Sequence, residues 1–287
     1  MKFVRTGKYR EDTLERSVEI NSLDEARGRF KRMNYLLGFV KVQKPEDFPE
    51  YVLNLISKYD SLLKDERKIS NPLDLDELVS DNPNLKEHLE LAIVVLNYFR
   101  QILQLPTESK LGKIEVVNRN YFRSFSHISY PNLLVLTETI GRDEAISLYK
   151  RFVTHYTLEN RDPNKETIDD LETLFAKRTE PKEVPSDWEI VHTMLADGKY
   201  AFRNDNCVFL NAIGEDLPDS ELKYYVCCYG DYEKFRNYHD SVILTMEHTI
   251  AQGDPYCSRV LHDTRVDWNL QHPPKSFWDS MEPDNEL

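Results

Sequence analysis

The spacing of apolar positions changes once along the chain, near Pro185. Upstream the period is helical. From Ser22, read as an N-cap followed by acids at Asp24 and Glu25, apolar residues recur at Ala26, Phe30, Met33, Leu36, Leu37 and Val40. That spacing places them on one helix face. The same periodicity predicts helices over 48–63, 85–105, 131–140, 143–158 and 167–176. The 85–105 stretch is the most apolar, with Ala92, Val95, Leu96, Phe99, Ile102 and Leu103, and is expected in the middle of the helical layer. Residues 177–185, with two prolines and mixed charge, read as a connector.

Downstream the pattern shortens. Residues 190–195 and 200–203 flank Asp197-Gly198 and read as a hairpin whose turn carries positive-φ residues. A short helix is expected from near Asp205 through Phe209 and Ala212. Pro218-Asp219-Ser220-Glu221 opens another, with Leu222, Tyr225, Val226 and Tyr229 inward. A second hairpin pairs 242–251 with 256–263 across Gln252-Gly253-Asp254-Pro255. Two strands, two helices and two strands predict an antiparallel sheet with helices on one face. The fold class is therefore α+β: a helical N-terminal layer followed by that sheet. The expected division is a helical region over 1–130, an α+β domain over 131–267, and a tail over 268–287 that lies on the surface or is loose.

Composition narrows the function. Among 287 residues, 50 acidic and 37 basic side chains leave a net charge of −13, while 13 Phe and 16 Tyr supply enough apolar material for one large or two modest cores. An acidic chain without a basic block makes nucleic acid and anionic membranes unexpected partners. The nine glycines never approach closer than ten positions, the gap from Gly28 to Gly38, so neither GxGxxG nor a Walker loop can be written. GxSxG and HExxH are absent too. No cofactor is implied. The charged start and the shortness of the strongest apolar run, 91–96, read as a cytoplasmic protein. A small molecule remains as the expected partner, with homodimerisation open.

The candidate chemistry lies in the last third, which holds Cys207, Cys227, Cys228 and Cys257. Cys207 opens a helix, where free amides stabilise a thiolate. Cys257 follows the tight turn of the second hairpin. If Ala251 pairs with Tyr256, Ile250 lies opposite Cys257 and His248 shares its face one diagonal step away, giving a thiolate–imidazole pair able to attack an electrophilic carbon. Plain packing competes with this reading, because free cysteines are among the most buried residues. Cys227 and Cys228 point about 100° apart on a helix, so at most one faces a given site. No ligand spacing supports a metal. His239, beside Asp240 at a strand entrance, is a second acid/base candidate. His127, His155 and His192 read as hydrogen-bonded structural residues. Glu138 fits a buried carboxylate or a solvated helix face equally.

Several of these residues fall in a familiar pattern. Tyr238-His239-Asp240-Ser241-Val242, continuing through His248-Thr249-Ile250-Ala251-Gln252-Gly253-Asp254-Pro255-Tyr256-Cys257, resembles the closing motif of the L-2-amino-thiazoline-4-carboxylic acid hydrolase family. Leu136-Thr137-Glu138-Thr139-Ile140-Gly141-Arg142-Asp143-Glu144-Ala145 resembles its helix-Gly-acidic-helix element, and Arg203-Asn204-Asp205-Asn206-Cys207 its strand-to-cysteine segment. The resemblance covers roughly 133–263. It differs at Val208, where the family commonly has proline, and at Ser258-Arg259, where it has Asp-Phe.

The resemblance implies ring-opening hydrolysis at the amidine carbon of a small amino-acid-derived heterocycle of the 2-aminothiazoline or cyclic amidine type, in specialised metabolism. Cys207 and Cys257 would be the reactive thiols and His248 or His239 the acid/base partner. Thr249, Asp254 and Arg259 would hold the substrate carboxylate or amine; the Arg259 guanidinium suits a carboxylate through paired hydrogen bonds. Two other readings stand beside it: a non-catalytic small-molecule-binding domain resembling vinyl-reductase-type domains, and a helical interaction protein.

Overall fold

A computed structural model of the chain describes residues 1–161, 167–184, 186–195, 198–266 and 268–282. Asp197 of the first predicted turn, Pro185 of the connector, Asp267 at the predicted domain boundary and residues 283–287 of the tail lie outside the described residues. In chain order the elements begin β1 (Val4–Thr6), β2 (Ser17–Asn21), α1 (Ser22–Gln43), α2 (Phe48–Leu62), α3 (Leu75–Ser80), α4 (Pro83–Glu87), α5 (Leu89–Ile102) and β3 (Lys113–Val117). There follow α6 (Asn118–Ile140), α7 (Arg142–Glu159), α8 (Leu171–Thr179), β4 (Ile190–Leu195), β5 (Lys199–Asn204) and α9 (Val208–Ile213). The last are α10 (Ser220–Cys227), α11 (Asp231–Arg236), β6 (Val242–Met246), β7 (Cys257–Asp263) and α12 (Lys275–Asp279). They form two compact units: a helical unit over Leu14–Tyr156 and Ala212–Val226, and a sheet unit over Met1–Thr13, Thr157–Asn211 and Cys227–Leu287.

In the helical unit the predicted periodicities become helices, with shifted ends. Asn21 caps α1, its side-chain oxygen accepting from Leu23 N–H at 3.2 Å; the Ser22 hydroxyl instead donates to the Gly112 carbonyl at 2.9 Å. The predicted 85–105 helix breaks at His88 into α4 and α5. Along α5 a run of buried residues extends from Val94 to Arg100, as a helix enclosed on several sides requires. Proline opens no helix at 131. It sits inside α6, where the ring removes an internal hydrogen bond and side chains from α2 serve nearby carbonyls. Tyr51 O–H donates to the Asn132 carbonyl at 3.1 Å, and the Tyr59 hydroxyl lies 2.6 Å from the Ile128 carbonyl and 2.8 Å from Asn132 Oδ1. Strands β2 and β3 form an antiparallel ribbon that the helical reading did not foresee.

The sheet unit is built on an antiparallel sheet in the order β1-β4-β5-β7-β6. Gly198, at φ +69°, serves the first hairpin turn as expected. Cross-strand register sets the faces: Phe202 pairs with His192 and Arg259, Tyr200 with Met194 and Leu261, and Asn204 with Ile190 and Cys257. On this face Tyr200, Phe202, Leu244 and Leu261 pack under Leu171 and Leu174 of α8 and Phe235 of α11. The opposite face, with Val191, Ala201 and Val260, is closed by Trp278 of α12 and by Met281, both fully buried. Trp278 and Met281 thus anchor the described part of the tail in this core, while most of its other residues stay exposed on the surface. Asp170 caps α8 by accepting from Thr173 N–H at 2.6 Å, so that helix starts four residues after the predicted 167. The described residues contain no helix long and apolar enough to cross a membrane.

Candidate functional site: thiols around a buried arginine

The second hairpin departs from its predicted register, and the departure builds the site. The β6–β7 ladder ends at Met246 opposite Arg259 instead of running to Ala251. Beyond it the chain tightens into a 3-10 turn at Ile250–Gln252, because the Asp254 carboxylate captures Thr249 N–H at 2.8 Å and Gly253 takes φ +99°. Ile250 does lie against Cys257, through its main chain: Ile250 N–H donates to Cys257 Sγ at 3.3 Å. The His248 ring packs edge-on to Tyr256 at 5.6 Å with Nδ1 3.4 Å from Asp254 Oδ1. A main-chain bond from Ser258 N–H to the His248 carbonyl, at 3.0 Å, still fixes it at the Cys257 end of the sheet.

Cys257 and Arg259 alternate onto the same face of β7, as residues two apart must. Arg259 Nη1 donates to Asn204 Oδ1 at 2.7 Å and Nη2 to Asp231 Oδ2 at 2.9 Å, and the residue is 8% exposed. Cys207, Cys228 and Cys257 are all buried and close enough to the guanidinium to feel its charge. Burial lowers the pKa of this arginine, but the Asp231 carboxylate, joined by the thiols where they ionise, outweighs it and holds the group more firmly protonated than usual. Burial pushes the Cys207 thiol up to about 12 against the opposing pull of the Leu210 N–H, and drives Cys228 well above its ordinary value. Both are neutral thiols at physiological pH. Cys207 precedes α9 as predicted, yet desolvation overrides any benefit from the helix amides.

The structure thus brings together Cys207, Cys257 and Arg259, with His248 and Asp254 at the same end of β7. Thr249 and Asp254 are engaged in building the turn: the Thr249 hydroxyl donates to Gln252 Oε1 at 2.8 Å. His239 lies at the other end of β7, where its Nδ1 accepts from Ser241 N–H at 3.0 Å and its Nε2 is 3.2 Å from Arg265. Seven residues of strand, roughly 20 Å, separate it from Cys257. It is in no position to serve those thiols. His192 is a structural residue, bonded to Thr6 and Tyr200 and held neutral by burial, its pKa lowered to about 3.

Residues outside the chosen site set complete the cluster: Asn204 and Asp231, and Cys228, the one of the vicinal pair that faces the site. Only register shows Asn204 beside Cys257, and only the turn after α10, where Asp231 N–H donates to the Cys228 carbonyl at 3.0 Å, brings those two inward. Arg178 is a further omission. Its guanidinium carbon stands 4.3 Å from the Phe202 ring centre, on the face that carries Arg259. Its Nη1 is buried without a partner, and no acid among the described residues pairs with it. The described residues also contain no group of three or more His, Cys, Asp or Glu placed to hold a metal ion.

Residues 121–260 match the model of the L-2-amino-thiazoline-4-carboxylic acid hydrolase family. The resemblance read from the closing motif therefore holds over that segment, which begins upstream of the expected 133 and ends just past Arg259. No curated protein and no solved structure matches the chain.

Proposed function

We propose that the sheet unit hydrolyses a small cyclic amidine of the 2-aminothiazoline-4-carboxylate type, with Cys257 as nucleophile. The observation that carries this is the convergence of three buried thiols on Arg259 within the segment matched by the hydrolase family. Of the three, Cys257 has its sulfur on a main-chain N–H and shares a strand face with the guanidinium, so negative charge at Sγ meets one hydrogen-bond donor and a nearby positive charge. The sulfur adds to C2 of the ring. The ring C2–S bond then breaks, its electron pair leaves on sulfur, and His248, oriented by Asp254, carries to it the proton that the Cys257 thiol gave up on attack. C2 remains on Cys257 until water adds and the C2–Sγ bond breaks, returning the thiol and releasing a ring-opened ureido thiol acid. Arg259 already has Asn204 and Asp231, so it supports charge at the thiol; the substrate carboxylate goes to the unpaired Arg178.

The test is a thiol-release assay on 2-aminothiazoline-4-carboxylate. The proposal expects turnover by the native protein and a loss of about 10³-fold or more in Cys257→Ser. Absence of turnover, or equal turnover by the variant, refutes it. One observation favours a second reading, ligand binding without turnover: burial holds Cys207 and Cys228 as neutral thiols. That reading expects saturable binding of the heterocycle with no thiol released.

A further inference from the structure

The helical unit holds a cation that its own residues leave unused. Arg32 of α1 projects among rings from α6 and α7: its guanidinium carbon lies 5.6 Å from the ring centre of Phe125, 5.1 Å from Phe152 and 5.1 Å from Tyr156. Among the described residues no hydrogen bond or ion pair engages its N–H groups. Arg29, one turn earlier, shares the Phe125 ring at 5.2 Å. It is satisfied differently, its Nη2 donating to Glu25 at 2.7 Å while Nε is buried without a partner. Two guanidiniums therefore face one carboxylate. Burial, opposed by Glu25 and reinforced by the nearby charge of Arg32, lowers the pKa of Arg29. The ensemble carries one uncompensated positive charge.

A helix interior gains roughly 1 kcal/mol from replacing glycine by alanine, unless the side chain would be in the way. Gly28 lies four residues before Arg32, on the same helix face and under the direction in which the Arg32 side chain leans. A Cβ built there meets nothing within 4 Å, so no protein packing accounts for the glycine. Arg32, Phe125, Tyr156 and Tyr35 are half-buried, leaving the cage open on one side. Tyr35 stands edge-on to Tyr156 at 5.4 Å.

From this we infer a binding site for a flat monoanion, a carboxylate on an aromatic or heterocyclic body, centred on Arg32. Three rings stand 5.1–5.6 Å from the guanidinium carbon and no acid among the described residues engages its N–H groups, which suits a carboxylate held through two parallel N–H bonds. A single excess charge matches a monocarboxylate better than a dianion, and the open flank over Gly28 and the half-exposed rings suits a flat apolar body. The site is separate from the thiol cluster and does not depend on the hydrolase reading.

The experiment is calorimetric titration of the full chain at low salt with benzoate, with its uncharged counterpart benzamide, and with inorganic phosphate. Benzoate is expected to bind saturably, and the other two at least about tenfold more weakly. Arg32→Met should weaken benzoate by about tenfold or more, and Arg32→Lys, which keeps the charge but loses the fork, by an intermediate factor. Gly28→Leu, which favours the helix and fills the open flank, should abolish benzoate binding while the thermal midpoint stays or rises. That variant keeps the test valid if Arg32→Met folds poorly. Failure of benzoate to bind, unchanged binding in Gly28→Leu and Arg32→Met, or preference for phosphate would each overturn the assignment.

Discussion

Strand β7 has an arginine, an aspartate and a histidine at each end, and the two ends differ in what surrounds them. At its C-terminal end Arg265 binds the Asp263 carboxylate, with Nη2 2.7 Å from Oδ2, beside His239; the arginine side chain is 41% exposed. At its N-terminal end Arg259 binds Asp231 at 2.9 Å, with a side chain only 9% exposed, and three thiols take the place of solvent. Residue types alone make both ends plausible sites. Burial of the arginine separates them, since the carboxylates run the other way, Asp263 being 5% exposed and Asp231 25%: a guanidinium in water costs little and does little, whereas one out of water must be matched and strongly biases its neighbours.

The largest expected effect follows from that contrast. Arg259→Met leaves Asp231 and Asn204 facing an apolar side chain and should cost about 3–5 kcal/mol of unfolding free energy. Arg265→Ala removes an exposed guanidinium but leaves the buried Asp263 carboxylate without its side-chain donor, and should cost less, about 1–2 kcal/mol. Urea denaturation of both variants checks the difference, and equal losses would break the comparison. Next comes the buried histidine between the layers. His192 binds its proton at about 3 in the folded protein against 6.5 ordinarily, so the unfolded chain holds more protons below pH 6.5. Stability is therefore full above pH 6.5 and falls as pH drops toward 3, by about 5 kcal/mol from this residue over the whole window. Urea midpoints between pH 7 and 4 should decline less steeply in His192→Gln. A smaller effect separates the two histidines flanking β7: His248→Ala should lower thiazoline turnover by about 10²-fold, and His239→Ala by less than about twofold. The reverse order would move the site to the other end.

What the sequence made legible follows the same physical line. Helical periodicity located α1, α2 and α7 closely, because a long amphipathic helix repeats its signal over several turns. It failed at Ser22, where a tertiary bond to Gly112 outbids local capping, and at Pro131, where hydroxyls from α2 make an interior proline tolerable. The two β4–β7 hairpins were visible, while the three-residue β1 and the β2–β3 ribbon carry too little pattern. At the site, Cys207, Cys257 and Arg259 were singled out and do meet. The expected ladder out to Ala251 was not realised, since one carboxylate, Asp254, ends the strand early. Asn204, Asp231, Cys228 and Arg178 converge only through register and helix placement, which no local spacing encodes.

The central claim is that the buried end of β7 performs covalent chemistry at Cys257. Its most direct test is peptide mass spectrometry on protein mixed with 2-aminothiazoline-4-carboxylate and quenched in acid during turnover. A substrate-dependent mass increase confined to the peptide containing Cys257, and absent from Cys257→Ser, is the predicted result. Turnover with the adduct on Cys207 or Cys228, or with no cysteine modified and full activity in Cys257→Ser, would contradict it.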